Sequence, residues 1–401
     1  MSRLLVAQRA LMVPGWAKDA LWRRAQAIPS LDLRFADNKS LVDAVTGASL
    51  ITFARASSGT FVDSAGVLQT AATDVPRFDH NPTTGESLGL MVEEQRTNLR
   101  LNSATYQPSS GGAPAAYTVD QVAPDGTTTG SRQTAATPRT FEDYTGIANA
   151  LYTFSFYCRV TSGTAAFSLQ LKNAASDTVI TSDTSLVATT TWRRFTISGT
   201  TTGATPGARV ELVGVVPGFV FWGAQLEAGA FPTSYIPTTT AAVTRSADVA
   251  SITGTAFSGW YSQSEGTMFA DFLRTYSGNF PNFPNLYQFN DGTNNNEITM
   301  LGLQASQNIQ GFVTTGAIQQ FASTAYTSAV PGPNRSAHSF IVNNSAFAWN
   351  GAIGALDTSV SIPTVNQVKF GERDGQRFTG HIRRLTYWPQ ALPSRLQSLT
   401  Q

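Results

Sequence analysis

Residues 151–160 read LYTFSFYCRV, so Tyr152, Phe154, Phe156, Cys158 and Val160 occupy every second position. A period of two puts all five on one face of a strand, whereas a helix would scatter them around its circumference. The alternation returns in AAFSLQLKN, TWRRFTISGTTT, ARVELVGVV and GFVFWGAQLE, with Gly, Thr and Ser connections and no helical pattern between them. Sheets that are apolar on one face need a second layer, which predicts an antiparallel sandwich of jelly-roll type over residues 101–238.

The same period organises the flanks. LDLRF, SLITFARA, GTFVD, GVLQTA and GLMVEE are short strand candidates separated by turn signals such as Ser58-Gly59 and Thr84-Gly85, and they predict a small β module over 31–100. After a linker at 239–250, the segments GTMFADFL, NLYQFND, EITMLGL, HSFIVNN and FTGHIRRLTYW predict a second sandwich over 251–401. Only residues 1–30 carry helical patterning: Leu4, Leu5 and Leu11 alternate with Arg3 and Arg9, and beyond Pro14-Gly15 come Trp16, Leu21 and Trp22. Exposed tryptophans on a short basic helix suggest a peg that docks into another protein. The expected fold class is all-β with a short N-terminal helical anchor.

Composition narrows the function classes. Charged residues make up 13% of the chain, about half the usual share, and the net charge is +1. That balance removes the electrostatic attraction on which nucleic-acid binding depends. Cys158 is the sole cysteine, so no intrachain disulfide forms, and its place on the apolar face of LYTFSFYCRV marks it as a small buried hydrophobe. Gln8 and Arg9 split the first apolar run before it reaches the length of an export signal, and no later run suits a membrane helix. A soluble chain made in a cytoplasm is expected, with no membrane insertion.

WGAQLEAGAFPTSYIPT, residues 222–238, suits neither a helix nor a single strand. Val220, Trp222, Ala224 and Leu226 share a face, so a strand is expected to end at Glu227, after which Gly229, Pro232 and Pro237 forbid regular structure. Phe231, Tyr235 and Ile236 must then bury against a neighbour, making the segment a stiff connection rather than a flexible tether.

RASSGTFVDSAGVLQTAATDVPRFDHNPTTGESLGLMVEEQRTNL, followed by WGAQLEAGAFPTSYIPTTTAAVTRSADV, resembles modules of tailed-phage and gene-transfer-agent surface proteins of the head-spike or tail-fibre kind. The resemblance covers roughly Leu31 to Ser251, and the stretch between the two segments is similar to carbohydrate-binding jelly rolls. SAFAWNGAIGALDTS and FTGHIRRLTYWPQALPSRLQSL resemble the late strands and closing turn of a laminin-G, concanavalin A-like sandwich. The resemblance implies a virion-surface component, assembled in a host bacterial cytoplasm, that binds host cell-surface polysaccharide as a homo-oligomer, with a trimer favoured. It further implies that Leu4, Leu5, Leu11, Trp16 and Trp22 anchor the chain to other virion proteins. Both sandwich types that the chain resembles often hold structural calcium, but no DxDxDG-like cluster appears, so no cofactor or metal ligand is assigned.

A sugar site needs an apolar ring platform beside amides, hydroxyls or carboxylates. RTYSGNFPNFPNLYQFNDG offers Tyr276, Phe280 and Phe283 in a Pro/Asn/Gly loop with Asn279 and Asn282 beside them, and RTFEDY offers Arg139, Phe141 and Tyr144. Trp192 and Trp222 read as core. Catalysis finds less support: His80, His338 and His381 lack metal-ligand spacing, Glu93 and Glu94 point to opposite faces of a strand, and Glu372 with Asp374 reads as a hairpin turn. A purely architectural capsid or tail protein and a polysaccharide depolymerase are the alternatives to adsorption.

Overall fold

The computed structural model describes residues 19–108, 116–136, 139–144, 149–201, 207–276, 279–280, 282–325 and 332–401; Leu4, Leu5, Leu11 and Trp16 lie outside these residues. Antiparallel strands gather into two sandwiches. In the first, a five-stranded sheet ordered Arg193–Thr200, Leu151–Val160, Phe219–Ala228, Gly130–Gln133, Tyr117–Gln121 faces a four-stranded sheet formed by Arg139–Tyr144, Ala208–Val213, Ala165–Asn173 and Thr178–Ala188. Phe154, Phe156 and Cys158 are fully buried between the layers, each ring contributing about 1.5–3 kcal/mol by its removal from water. Burial also pushes the Cys158 thiol well above its ordinary value, which removes the thiolate a nucleophile needs.

The second sandwich packs an eight-stranded sheet on a seven-stranded one. Its strands come from both ends of the chain. Leu31–Leu33 and Ser87–Val92 pair with Gly380–Trp388, while Thr52–Ala54 pairs with Val249–Thr253. Most strands of the segment expected to form its own module over 31–100 are therefore shared between the two sheets of the C-terminal sandwich, while Gly59–Val62 and Leu68–Ala71 pair as a separate hairpin. Strands of three to six residues bury too little apolar surface to stand alone, and these lean on a larger core.

The expected linker at 239–250 also carries structure. Val243–Arg245 pairs with Arg96–Asn98, matching Val243 to Asn98 and Arg245 to Arg96. The chain thus leaves the C-terminal sandwich after Asn98 and returns to it in the adjacent strand, which makes the first sandwich an inserted lobe and the second its carrier. Helix Ala20–Ala25, whose first turn is capped by the Asp19 carboxylate on the Leu21 and Trp22 N–H groups, packs against the terminal helix Leu396–Thr400 through Leu21, Ala25, Leu396 and Leu399.

Residues 229–238 fasten the two lobes. Phe231, Tyr235 and Ile236 are 4, 3 and 2% exposed. The chain folds back over the preceding strand: Glu227 accepts the Thr233 N–H at 3.0 Å, and Gln225 Oε1 accepts the Ile236 N–H at 2.6 Å. Phe231 reaches into the carrier core and stacks on Tyr276, with ring centroids 3.9 Å apart. The face assigned to Trp222 needs correction. Ser155 pairs with Gln225 but Tyr157 pairs with Trp222, so an extra residue bulges at Gly223, whose φ of +61° suits glycine. Ala224 and Leu226 therefore enter the sandwich core, while Trp222 turns outward onto Tyr235 at 4.6 Å.

A buried ionic cluster completes the fastening. Asp248 meets Arg55 at 3.1 Å and Arg77 at 2.6 Å, and Glu93 meets Arg77 at 2.9 Å and Arg245 at 3.5 Å. Burial alone would push the Glu93 carboxyl up, but Arg245, Arg77 and the hydrogen bonds from Ser234 outweigh it and hold the group far below the usual carboxylate range. Through these pairs the carrier segments that bear Arg55, Arg77 and Glu93 are bound to the segment that returns from the inserted lobe.

His338 makes the carrier core acid-sensitive. It is buried against Phe321 and Phe347, and burial pushes its imidazole down to about 3 from 6.5. Below pH 6.5 the unfolded chain takes up a proton that the folded chain refuses, so stability is lost as pH falls from 6.5 towards 3. The expected contribution is about 1.4 kcal/mol lost between pH 5 and pH 4. Urea midpoints should show His338→Phe with a slope shallower by one proton over that interval; equal slopes would contradict a neutral buried ring.

Candidate functional site

The outward face of the strand pair Leu151–Val160 and Arg193–Thr200 forms one wall of a cleft between the lobes. Because alternate residues share a face, burying Phe154, Phe156 and Cys158 turns Ser155, Tyr157 and Arg159 outward. Arg194 lies opposite Tyr157 in the register, and Trp192 precedes it by two positions on the same side. The result is a ladder of rings and cations: the Arg194 guanidinium lies 5.5 Å from the Tyr157 ring and that of Arg159 lies 5.2 Å from Trp192. The Trp192 indole N–H is fixed by the Val122 carbonyl at 3.1 Å.

The facing wall belongs to the carrier and includes Val62, Leu68, Asp79, His80 and Thr83. Cleft volume is about 730 Å³, within the range of small-ligand sites. A narrower chamber of about 230 Å³ continues inward past Asp79, Tyr157 and Arg194 to His381 and Ser234. Asp79 Oδ1 accepts the Val62 N–H at 2.6 Å, and its Oδ2 accepts from His381 Nε2 at 2.8 Å. His80 Nδ1 lies 3.0 Å from the Val62 carbonyl, which can only accept, so Nδ1 carries the proton. Its Nε2 has no partner although the side chain is 5% exposed.

Glycine makes this arrangement. Asp79 pairs with Gly89 and His80 with Ser87, so Leu88 is an extra residue and the strand bulges. Gly89 holds φ at +99°, and a Cβ there would lie 2.3 Å from the Ile382 carbonyl oxygen. The bulge re-aims the two side chains, sending Asp79 towards His381 and His80 towards Val62.

The sugar-site residues expected from sequence lie elsewhere. Tyr276 and Phe280 are 8 and 3% exposed: Tyr276 stacks on Phe231, and Phe280 sits over Gly302, where a Cβ would come within 2.6 Å of its ring. The Arg274 guanidinium lies 4.3 Å from both rings. They belong to the carrier core and offer no platform. Phe283 remains exposed and Asn279 donates to the Ala305 carbonyl, while Asn282 lines a separate groove beside Arg96 and Gly229. In RTFEDY, Tyr144 is buried and donates to Glu142 at 2.9 Å, and Phe141 lies 4.1 Å under the Arg209 guanidinium. Arg139 is exposed and 3.5 Å from Glu211, so the hexapeptide is a strand of a salt-bridged sheet. Trp22 is half-buried on its own lobe rather than presented as a peg: its N–H donates to Asp32 at 3.0 Å and Arg34 covers its ring.

Trp192, read as core, is half-buried at the cleft, and His80 and His381 meet the same cleft although they stand far apart in sequence. The period-two pattern does carry one signal, since Tyr157, Arg159, Trp192 and Arg194 all fall on positions opposite to the apolar set. Among the described residues no group of three or more His, Cys, Asp or Glu could hold a metal ion, and no helix is long and apolar enough to cross a membrane.

No protein-family model matches the sequence, and no curated protein does so either. Among solved structures, the chain is similar to the CBM40 of the Ruminococcus gnavus IT-sialidase bound to alpha2,3 sialyllactose, with 18% identity, 35% of this chain and 83% of that chain covered, and a TM-score of 0.29. It is also similar to a leech intramolecular trans-sialidase, with 17% identity over 35% of this chain and 23% of that one and a TM-score of 0.29. A heptameric SAP-like pentraxin from Limulus polyphemus shows 13% identity over 34% of this chain and 67% of that one, with a TM-score of 0.27. TM-scores of this size leave the all-β sandwich architecture to be established by the strands themselves.

Proposed function

We propose that this chain binds glycan noncovalently in the cleft between its lobes and serves as an adsorption protein on the surface of a phage-like particle. The observation that supports glycan binding is the ladder of Tyr157, Trp192, Arg159 and Arg194 facing hydroxyl, imidazole and carboxylate groups across about 730 Å³. Aromatic bodies beside fixed polar groups suit a pyranose, which has an apolar C–H face and a hydroxyl rim. The particle role is supported by the resemblance of RASSGTFVDSAG…EEQRTNL and WGAQLEAGAFPTSYIPT to phage surface modules. A symmetric trimer would multiply weak single-site affinities through effective concentration.

The proposed activity is binding without turnover. Glycoside cleavage needs a proton-donating carboxyl opposite a second carboxylate. The carboxylates lining the cleft and chamber are Asp79, held by Val62 and His381, and Glu93, committed to Arg77 and Ser234.

A glycan array probed with the full chain tests the reading. Binding is expected, and Trp192→Ala should weaken it about tenfold or more, roughly 1.4 kcal/mol, while Trp192→Phe keeps most of it. Unchanged affinity in Trp192→Ala would remove the cleft from the mechanism. A connector within the particle is the second reading, favoured by the buried Arg55–Asp248–Arg77 cluster that locks the lobes together. It predicts incorporation into particles by a chain that binds no saccharide.

A further inference from the structure

Arg159, Arg193 and Arg194 line the cleft, and none of them forms an ion pair among the described residues. Arg159 donates one hydrogen bond, from Nη2 to Gln121 Oε1 at 2.7 Å, which leaves most of its five N–H groups unused. Arg194 donates to the Thr233 carbonyl at 2.6 Å and to Ser155 Oγ at 2.8 Å, and its Nε is buried with no partner. Among the described residues Asp79 is the one carboxylate on the cleft lining, and the Val62 N–H and His381 already engage it. Burial lowers the Arg159 guanidinium from its ordinary value, yet arginine stays charged in proteins, so the cleft wall carries a partly desolvated cation with no ion-pair partner among the described residues. The nearly buried His80 Nε2 is a second polar atom without a partner.

We infer that the cleft selects acidic saccharides, with a uronic-type carboxylate taken by the unpaired N–H groups of Arg159 and Arg194 while the sugar ring lies against Trp192 and Tyr157. The inference rests on the glycan-binding reading and adds the class of sugar. A carboxylate supplies what the wall lacks, an acceptor for paired guanidinium N–H groups, and a neutral sugar leaves that charge uncompensated.

Calorimetry on the full chain tests this with oligogalacturonate, oligoalginate and hyaluronan fragments, each beside its carboxyl-reduced counterpart. At least one acidic member should bind about tenfold or more tightly than its reduced partner, and that preference should shrink as NaCl rises from about 50 to about 500 mM. Arg159→Gln should abolish the preference with an unchanged melting temperature, whereas Trp192→Ala should weaken acidic and reduced ligands alike. Equal affinity for acidic and reduced members, or a preference that survives Arg159→Gln, would overturn the inference and leave glycan binding standing. Absence of binding to every saccharide on the array and in this panel would overturn both.

Discussion

Replacing Asp248 by alanine is expected to cost about 3–5 kcal/mol of folding stability, because it strips the shared counter-ion from buried guanidiniums. Asp248 joins Arg55 through Oδ1 and Arg77 through Oδ2, and it accepts the Glu93 N–H at 2.9 Å. Burial works against the Arg77 cation, and Asp248 together with Glu93 more than reverses that, holding its pKa above the ordinary value. Without Asp248, Glu93 alone would face Arg77 and Arg245, and Arg55 would lose the carboxylate it pairs with. Chemical denaturation measures the loss, and limited proteolysis should show the segments that carry Arg55 and Arg77, beside strands Thr52–Ala54 and Phe78–His80, released first. Asp120→Ala is the control: its partner Arg132 and Asp120 itself are solvent-accessible, so that pair should contribute nothing measurable. If Asp248→Ala costs less than about 1 kcal/mol, water reaches the cluster and the lobes are held by packing alone.

Gly89→Ala is expected to be nearly as damaging, at about 3 kcal/mol or more, through a different mechanism. The added Cβ would lie 2.3 Å from the Ile382 carbonyl oxygen and 2.9 Å from Arg383 Cα, both backbone atoms that cannot move aside. Its φ of +99° adds strain for any L side chain. Relief requires separating Ser87–Val92 from Gly380–Trp388, which also displaces Asp79 and His80. Folding and ligand binding should therefore fail together. Gly163→Ala offers the contrast, since φ there is +64° with nothing within 4 Å of a Cβ; it should cost only the left-handed penalty of about 1–2 kcal/mol. Equal losses at the two sites would show that backbone strain, and not the close strand approach, governs Gly89.

What could be read from sequence followed from local periodicity. LYTFSFYCRV, AAFSLQLKN and GFVFWGAQLE became strands because alternation is a property of neighbouring residues. Pairing is not local. Nothing in GLMVEE announces that Leu90 will lie opposite Ile382, so strands shared across the chain looked like a module of their own. Bulges at Gly223 and Gly89 broke the period where it was used to assign Trp222, and where it could have revealed Asp79 and His80. Loop aromatics misled for a related reason: Tyr276 and Phe280 look stranded among Pro, Asn and Gly, but Phe231 and the bare backbone of Gly302 provide seats for them. Arg55, Arg77 and Arg245 carry no local sign of burial, because Asp248 and Glu93, which pair with them, come together with Arg55 and Arg77 only in the fold.

The inserted lobe begins and ends in neighbouring strands, with Thr97 opposite Thr244, and the hydroxyls of that pair are 2.8 Å apart. Helix Ala20–Ala25 and the Gln401 carbonyl meet on the carrier as well, where Arg24 bonds that carbonyl at 2.8 Å. Both ends of the described chain thus meet on the carrier, and the inserted lobe is bounded by one strand pair. Recombination at two points, between Asn98 and Leu99 and between Ala242 and Val243, would replace the lobe and one wall of the cleft in a single genetic step. The receiving sheets would keep their strands, so new ligand preferences could be sampled on one scaffold provided that the incoming lobe again supplied a ring at Phe231 for Tyr276 and a hydroxyl at Ser234 for Glu93.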